Sequence, residues 1–252
     1  MNNHLIELFY SAEHYFFTAI CEAHKNFEDS AVAYCSEVAT PELNILVVKN
    51  EIKAEILDEA AAFFASHQMP WCAVVPEFLN TPALRNFLAH HQLFPREKTL
   101  AMALALGHEP PAAPKEPGSI KLMNDQLEHW MLPLVEAFKS TLGMTECYKN
   151  THVYALAKHK NLAHLSFYKD SAPISSLTLS WHENIGRLDD IGTIPIHQRK
   201  GYASRLMRHA LRGAYKIHLS HCFLEASVAG ASLYENFGFK PLFQNQIFSP
   251  KE

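Results

Sequence analysis

Glycine is scarce in this sequence: nine residues in 252, and none before Gly107. A first half without glycine cannot hold a glycine-dependent phosphate loop, because other residues rarely take φ > 0 and their side chains keep ligands off the backbone. No GxxxxGK[ST] and no GxGxxG occurs anywhere, which excludes a Walker loop and the dinucleotide fingerprint. The five cysteines (Cys21, Cys35, Cys72, Cys147 and Cys222) are odd in number, far apart and form no CxxC pair. That excludes a disulfide scaffold and a cysteine zinc site, and predicts reduced core thiols in a cytoplasmic protein. Sixteen histidines are scattered without HExxH spacing, so no metal is expected. No apolar run approaches the roughly 18 residues of a membrane span. The first residues, MNNHLIELFYSAEH, lack a basic segment and meet Glu7 early, unlike a secretory signal. Positive charge is not in excess either. A formal net charge of -4 argues against a nucleic-acid partner.

What is present is the composition of a globular chain, 48% hydrophobic and 19% charged. The proline-dense stretch EPPAAPKEPG, residues 109–118, reads as a semi-rigid linker between a domain at 1–108 and a domain at 119–252. In the second part, short strands are expected at Ile120–Met123, Leu162–Tyr168, Ile174–Trp181 and Arg187–Ile194, the last three an antiparallel meander. Asn124 is a candidate cap for a helix through HWMLPLVEAF that Pro133 would kink. CFLEA (Cys222–Ala226) reads as a strand and Ser227 as the cap of a helix ending at Phe237. A last strand covers Lys240 to Phe248. In the first part, NILVVK, WCAVVP and TLAMALAL read as strands, with helices at IKAEILDEAAAFFASH and LRNFLAHH between them. This order repeats the end of the second part, with LAHHQLF where LYENFGF later stands. A degenerate internal repeat is therefore expected.

The segment HQRKGYASRLMRHAL, His197 to Leu211, spends one of the few glycines just before a helix. Leu206, Met207, Ala210, Leu211 and Ala214 fall on one helical face, and Arg205, Arg208, His209 and Arg212 on the other. A strand followed by a glycine loop that opens a helix aims backbone N–H groups and the positive end of the helix dipole at one point. An anion, a pyrophosphate above all, is the natural guest.

Gln198-Arg199-Lys200-Gly201-Tyr202-Ala203 resembles the Q/R-x-x-G-x-G/A signature of the GNAT acetyltransferase superfamily. LEASVAGASLYENFGFK resembles the later motif of that family, with Tyr234 and Gly238-Phe239 in the matching places. The resemblance covers about Gly118 to Phe248. It implies a mixed α/β fold with a central, mostly antiparallel sheet flanked by helices, here a tandem of a degenerate, GNAT-like copy and an intact one. It implies acetyl-coenzyme A in a cleft between two splayed strands, IGT (Ile191–Thr193) and CFLEA. Ile191, Gly192 and Thr193 would pair with the pantetheine arm. The amides of Arg199, Lys200, Gly201, Tyr202, Ala203 and Ser204 would cradle the pyrophosphate, with Gln198 beside them. Gly201 would spare the phosphate a clashing side chain. The sequence departs from the pattern at Ala203, where glycine is the alternative, and at Ser227, where many relatives have an asparagine that contacts the cofactor.

The activity implied is transfer of an acetyl group to a primary amine by direct attack in a ternary complex, without a covalent acyl-enzyme. Tyr234 would be the general acid for the departing sulfur, since a phenol stays protonated at neutral pH. The backbone N–H of Thr193 would polarise the thioester carbonyl. For the base, Asp189 and Asp190 are expected on opposite strand faces, Asp189 with Ile191 and Thr193. A bulge would reverse this parity in favour of Asp190. Glu225 is a third candidate and water a fourth. Leu88, in the place of Tyr234 in the first part, has no proton to give, so that part is expected to be inert. A non-catalytic acyl-coenzyme A sensor or scaffold is the alternative reading. The acceptor is an amine-bearing small molecule or peptide, and a homodimer is one possible assembly; no membrane is expected as a partner.

Overall fold

Residues 3–110, 118–228 and 230–251 are described by the computed structural model; residues 111–117 of the proline-dense stretch lie outside them. The N-terminal half runs α1 (Asn3–Ile20), β1 (Ala23–Phe27), β2 (Ala31–Cys35), β3 (Asn44–Val48), α2 (Ala54–Ser66), β4 (Cys72–Pro76), α3 (Pro82–His90) and β5 (Phe94–Ala105). The C-terminal half runs β6 (Ser119–Leu122), α4 (Leu127–Ala137), α5 (Leu142–Ala157), β7 (Leu162–Lys169), β8 (Ala172–His182), β9 (Ile185–Thr193), α6 (Tyr202–Lys216), β10 (His221–Ser227), α7 (Ala231–Glu235) and β11 (Lys240–Ser249). No helix among the described residues is long and apolar enough to cross a membrane.

All these strands join one sheet, in the order β1-β2-β3-β4-β11-β5-β10-β9-β8-β7-β6. Only β3–β4 and β9–β10 are parallel, and each of these pairs is connected by a helical crossover, α2 or α6. The mixed, mostly antiparallel class expected from the sequence is therefore the class observed. The two halves exchange their last strands. β11 pairs with β4 of the N-terminal half, β5 pairs with β10 of the C-terminal half, and β5 and β11 pair with each other.

The halves are copies of one plan. β3-α2-β4-α3-β5 repeats β9-α6-β10-α7-β11. The two short helices even end alike: the Leu93 N–H donates to the Leu88 carbonyl at 2.9 Å, as the Phe239 N–H does to that of Tyr234 at 3.2 Å. A left-handed residue precedes each donor, Gln92 (φ 61) and Gly238 (φ 93). The repeat also reaches elements the sequence reading did not find. α1 carries Tyr10 and His14, α5 carries Tyr148 and His152, and each histidine packs edge-on against one in the following strand. The ring centroids are 5.6 Å apart for His14–His24 and 5.0 Å for His152–His164.

Local sequence accounts for the main elements. Leu206, Met207, Ala210, Leu211 and Ala214 of α6 are all buried against the sheet. Burial of each large side chain contributes about 1.5–3 kcal/mol. Arg205 departs from the expected polar face: it is buried, with its guanidinium 5.1 Å from the Phe167 ring centroid. Asn124 is not the cap of α4, which begins at Leu127. Its amide instead stitches β7, donating to the Leu162 carbonyl at 2.8 Å and accepting from the His164 N–H at 2.9 Å. α4 continues through Pro133. α5 gave no apolar stripe to read, because its buried face is Thr145, Lys149, His152 and Ala155.

Because each half supplies the strand that completes the other, the two should unfold as one unit. Truncation after Phe239, which removes β11, is expected to abolish the near-ultraviolet circular dichroism of Trp71 in one half together with that of Trp130 in the other. Retention of a cooperative transition in either half would contradict this.

Candidate active site

The parallel strands β9 and β10 pair only from Ile185 to Arg187 against His221 to Phe223. Beyond that, β9 continues to Thr193 and β10 to Ser227 without touching rungs, so the sheet opens. A bulge in β9 accompanies the opening. Ser176 faces Gly192 and Thr178 faces Asp189, leaving one residue between them on β8 and two on β9. Asp190 takes the extra place in a left-handed conformation, φ 55. An inserted residue bends the strand and breaks alternation.

The bulge corrects the expected parity. Asp189 and Asp190 do not lie on opposite faces; both turn to the side that carries α1 and α5. Asp189 meets Arg187, and Asp190 accepts a hydrogen bond from the Tyr148 hydroxyl of α5 at 2.9 Å. Ile191 lies on the other side, packed with the core beneath α6, and Asp189 does not share its face. Gly192 faces α4 so closely that a Cβ would lie 2.9 Å from Ala137 and 3.0 Å from Leu134. Thr193 is fixed by a 2.7 Å hydrogen bond between its hydroxyl and that of Ser175.

Below the opening lies a buried charge network that the N-terminal half helps to build. Arg187, 3% exposed, donates through Nε to both carboxylate oxygens of Asp189, at 3.0 and 3.1 Å. Its Nη1 is 3.7 Å from Glu13 Oε1 of α1, and its guanidinium carbon is 5.4 Å from the Phe9 ring centroid. Glu225 on β10 accepts from the Thr99 hydroxyl of β5 and from Asn245 Nδ2 of β11, the latter at 2.8 Å. Burial pushes Glu13 up to about 8. It also raises Asp189, against the pull of Arg187. Asp190 is pushed up to about 7, first by burial and then by the charge of Asp189. Tyr234, on α7, is pushed up to about 12 by burial, with Asp189 adding to the shift. Such displaced carboxyl and phenol values beside an opening are what acid–base chemistry requires.

Above the opening, Gly201 stands at the N-cap of α6 and adopts φ 81 and ψ 6, two residues after Arg199 at φ 57. A Cβ on Gly201 would meet nothing within 4 Å. What the fold requires of this glycine is therefore its left-handed backbone, and the space beside it is free. The Arg205 N–H makes its helical bond to the Gly201 carbonyl at 3.1 Å, so the amides of Tyr202, Ala203 and Ser204 have no helical acceptor. The Tyr202 ring packs against that of Phe167, centroids 5.0 Å apart. Gln198 Nε2 donates to the Thr193 carbonyl at 3.1 Å and Lys200 Nζ to that of Ile196 at 2.8 Å, which fixes the loop. Ser227 is not a helix cap. It ends β10 and accepts the Gly230 N–H at 3.2 Å, while α7 spans only Ala231–Glu235.

The N-terminal half lacks these features. Thr99 pairs with Asn245 at the centre of the exchange, so Ser227 opposite Thr99 corresponds to Pro76 opposite Asn245. Counting back along the paired strands, Val74 stands for Glu225, Ile45 for Arg187 and Val47 for Asp189. These three are apolar and packed with Phe16 and Phe17. Leu88 stands for Tyr234, and no described residue between Lys49 and Lys53, before α2, has a positive φ. The sequence reading missed Glu13, Thr99, Tyr148, Arg187 and Asn245. The Tyr-x3-His spacing shared by α1 and α5 was the one signal that pointed towards two of their helices.

Residues 149–241 match the family model described as an acetyltransferase (GNAT) domain. None of the curated proteins matches the sequence. Among solved structures, the chain is similar to a GCN5-related N-acetyltransferase from Kribbella flavida, at 13% identity and a TM-score of 0.66 over 96% of this chain and 94% of that one. It is also similar to a functionally unknown conserved protein from Staphylococcus epidermidis, at 11% identity and a TM-score of 0.70 over 91% and 94%. A tandem GNAT protein from the clavulanic acid biosynthesis pathway matches at 12% identity and a TM-score of 0.60 over 88% and 80%. At these identities the likeness is one of fold, and it extends over both halves.

Arg187→Leu strands Glu13 and Asp189 as buried carboxyls without their cation. A cost of about 3–5 kcal/mol is expected at pH 8. The cost should shrink as pH falls from 8 towards 5, because Glu13, pushed up to about 8 even beside Arg187, takes up its proton over that range. Thermal melts of the variant across this range check the claim, and a pH-independent loss would refute it.

Proposed function

For a chain whose C-terminal half carries a GNAT acetyltransferase domain, we propose transfer of an acetyl group from acetyl-coenzyme A to a primary amine, directly and within a ternary complex. The observation that carries the reading is the opening between β9 and β10, with the α6 N-terminus above it and titratable groups below it. The residues present fit the donor. From Leu188 onward β9 has an unpaired edge on the β10 side, to which an extended amide-bearing arm can add as a strand. The amides of Tyr202, Ala203 and Ser204, the helix dipole, and the space beside Gly201 suit a pyrophosphate. Arg199 and Lys200 are exposed there and add positive charge. The donor supplies an activated acyl group as a thioester; the chain supplies proton transfers and orientation.

Asp190 is the base we assign. Its displacement to about 7 makes it a stronger proton acceptor than an ordinary carboxylate, still ionised in half or more of molecules above that pH. Tyr148 holds one of its oxygens and leaves the other to accept. Asp189 is committed to Arg187 in a two-point pair, and Glu225 to Thr99 and Asn245, so neither is as free to take a proton. Tyr234, displaced to about 12, keeps its proton at neutral pH and is the donor for the departing sulfur. The N–H of Thr193 or a neighbour polarises the carbonyl.

Acetyl-coenzyme A at about 100 times its Kd should stabilise the protein by about 2.7 kcal/mol in a thermal melt. Gly201→Asp, in which aspartate tolerates the left-handed backbone better than most residues, should remain folded and lose that gain. No rise at millimolar ligand in the wild type would sink the reading. Tyr234→Phe is expected to lower kcat about 10²- to 10⁴-fold on an amine panel, with acetyl-coenzyme A binding retained.

The rate should rise with pH through about 7 as Asp190 loses its proton, and Asp190→Asn should remove that limb. The sign for stability is opposite. A carboxyl raised in the folded state binds its proton more tightly there than in the unfolded chain. Its stabilising share is present at low pH and is lost as pH rises through about 7. Asp190→Asn should accordingly raise Tm at pH 8 while it lowers the rate. A variant slowed but not stabilised at that pH would argue against the burial assigned to this group.

A further inference from the structure

The two halves differ most where α4 lies. In the C-terminal half α4 covers the end of β9 at Gly192, and its Trp130 packs on the Tyr148, His152 and His164 rings, with centroids 6.0, 4.6 and 4.8 Å away. The N-terminal half repeats the tyrosine and the two histidines as Tyr10, His14 and His24, but among the described residues no helix lies over them. A cleft of about 790 Å³ is there instead, between α1, the β1–β2 turn and the ends of β3 and β4. Its volume is within the range of small-molecule sites, roughly 300–1,000 Å³.

The walls specify a ligand class. Tyr10, Val32 and Phe78 give an apolar floor and side, with Phe78 half exposed at the mouth. The Tyr10 hydroxyl is buried and has no hydrogen-bond partner among the described residues, whereas that of Tyr148 donates to Asp190. A buried hydroxyl left unpaired is unfavourable, and a bound polar group would relieve that cost. Three carboxylates, Glu7, Glu28 and Asp29, line the cleft against one ammonium, Lys49. Lys49 Nζ is already 5.6 Å from the Tyr10 ring centroid and interacts with Glu13 and Asp29. Burial, then Lys49 and His24, holds His14 below the ordinary histidine value, so it adds no charge at neutral pH. The cleft is thus net acidic, partly aromatic and open to solvent.

We propose that this cleft is a second ligand site, distinct from the opening between β9 and β10, and that it binds a small organic cation of the alkyl-polyamine kind in the place that α4 fills in the other half. The carboxylates take the ammonium groups, Phe78 and Val32 take the methylene chain, and the Tyr10 hydroxyl accepts a hydrogen bond from the inner end. The site stands independently of acetyl transfer in the C-terminal half.

Isothermal titration calorimetry of the full chain with spermidine, in the absence of acetyl-coenzyme A, tests it. One equivalent is expected to bind. The double variant Glu28→Gln/Asp29→Asn should weaken binding tenfold or more. Both side chains are exposed, and the Asn50 Nδ2 bond that ties this turn goes to the Asp29 backbone carbonyl at 2.9 Å, so the fold is kept. Tyr10→Phe should weaken it a few-fold, and Asp190→Asn should leave it unchanged. Four outcomes would overturn the proposal: no heat at millimolar spermidine, equal binding by the double variant, loss of binding in Asp190→Asn, or equally tight binding of citrate as an anionic probe.

Discussion

The ladder between β5 and β11 is the contact on which the rest of the molecule depends. Each of these strands is the last element of its own half, and each lies next to the parallel pair of the other half. A sheet divided in this way cannot be cut between the halves without breaking three ladders, β4–β11, β11–β5 and β5–β10, and every backbone group left buried and unpaired costs free energy. The ladder also sets the position of Glu225, which is held at the centre of the exchange by Thr99 of the neighbouring strand β5 and by Asn245 of β11 beyond it.

This arrangement gives the N-terminal half a structural role in the site of the other half. Its copies of the charged positions are Ile45, Val47 and Val74, an apolar core that needs no partner. That core, with Phe9 and Phe17, allows α1 to lie across the middle of the sheet and bring Glu13 to Arg187. A buried guanidinium with one carboxylate is neutral; the second carboxyl keeps the network neutral only by holding a proton, which burial favours by pushing Glu13 up to about 8. The N-terminal half therefore helps to set the electrostatics of the half that has the opening.

Much of this was legible in the sequence, and the boundary follows the range of the forces involved. The apolar face of α6, the glycine before it, and the turn from Tyr234 to Phe239 are set by residues within a few positions of one another, and periodicity exposes them. The repeat of strand and helix in the first half was visible for the same reason. The parity of Asp189 and Asp190 was not, because a bulge depends on which residues face each other across two strands. α5 was not, because its inward side is polar and is satisfied by partners such as His164 and Asp190. Glu13 and Thr99 lie more than a hundred residues from the groups they touch, and nothing local marks them.

The exchange of last strands has a consequence during synthesis. β4 leaves the ribosome about 170 residues before β11, the strand that will cover its edge. At 5–20 residues per second this is a wait of roughly 9 to 35 s, during which an apolar edge, Cys72 to Pro76, has no neighbour on that side. The N-terminal half must pass this interval as an incomplete sheet, open to pairing with any nascent chain at hand. The rate of translation through the second half, rather than any intrinsic folding barrier, then fixes how long the protein is exposed to that error.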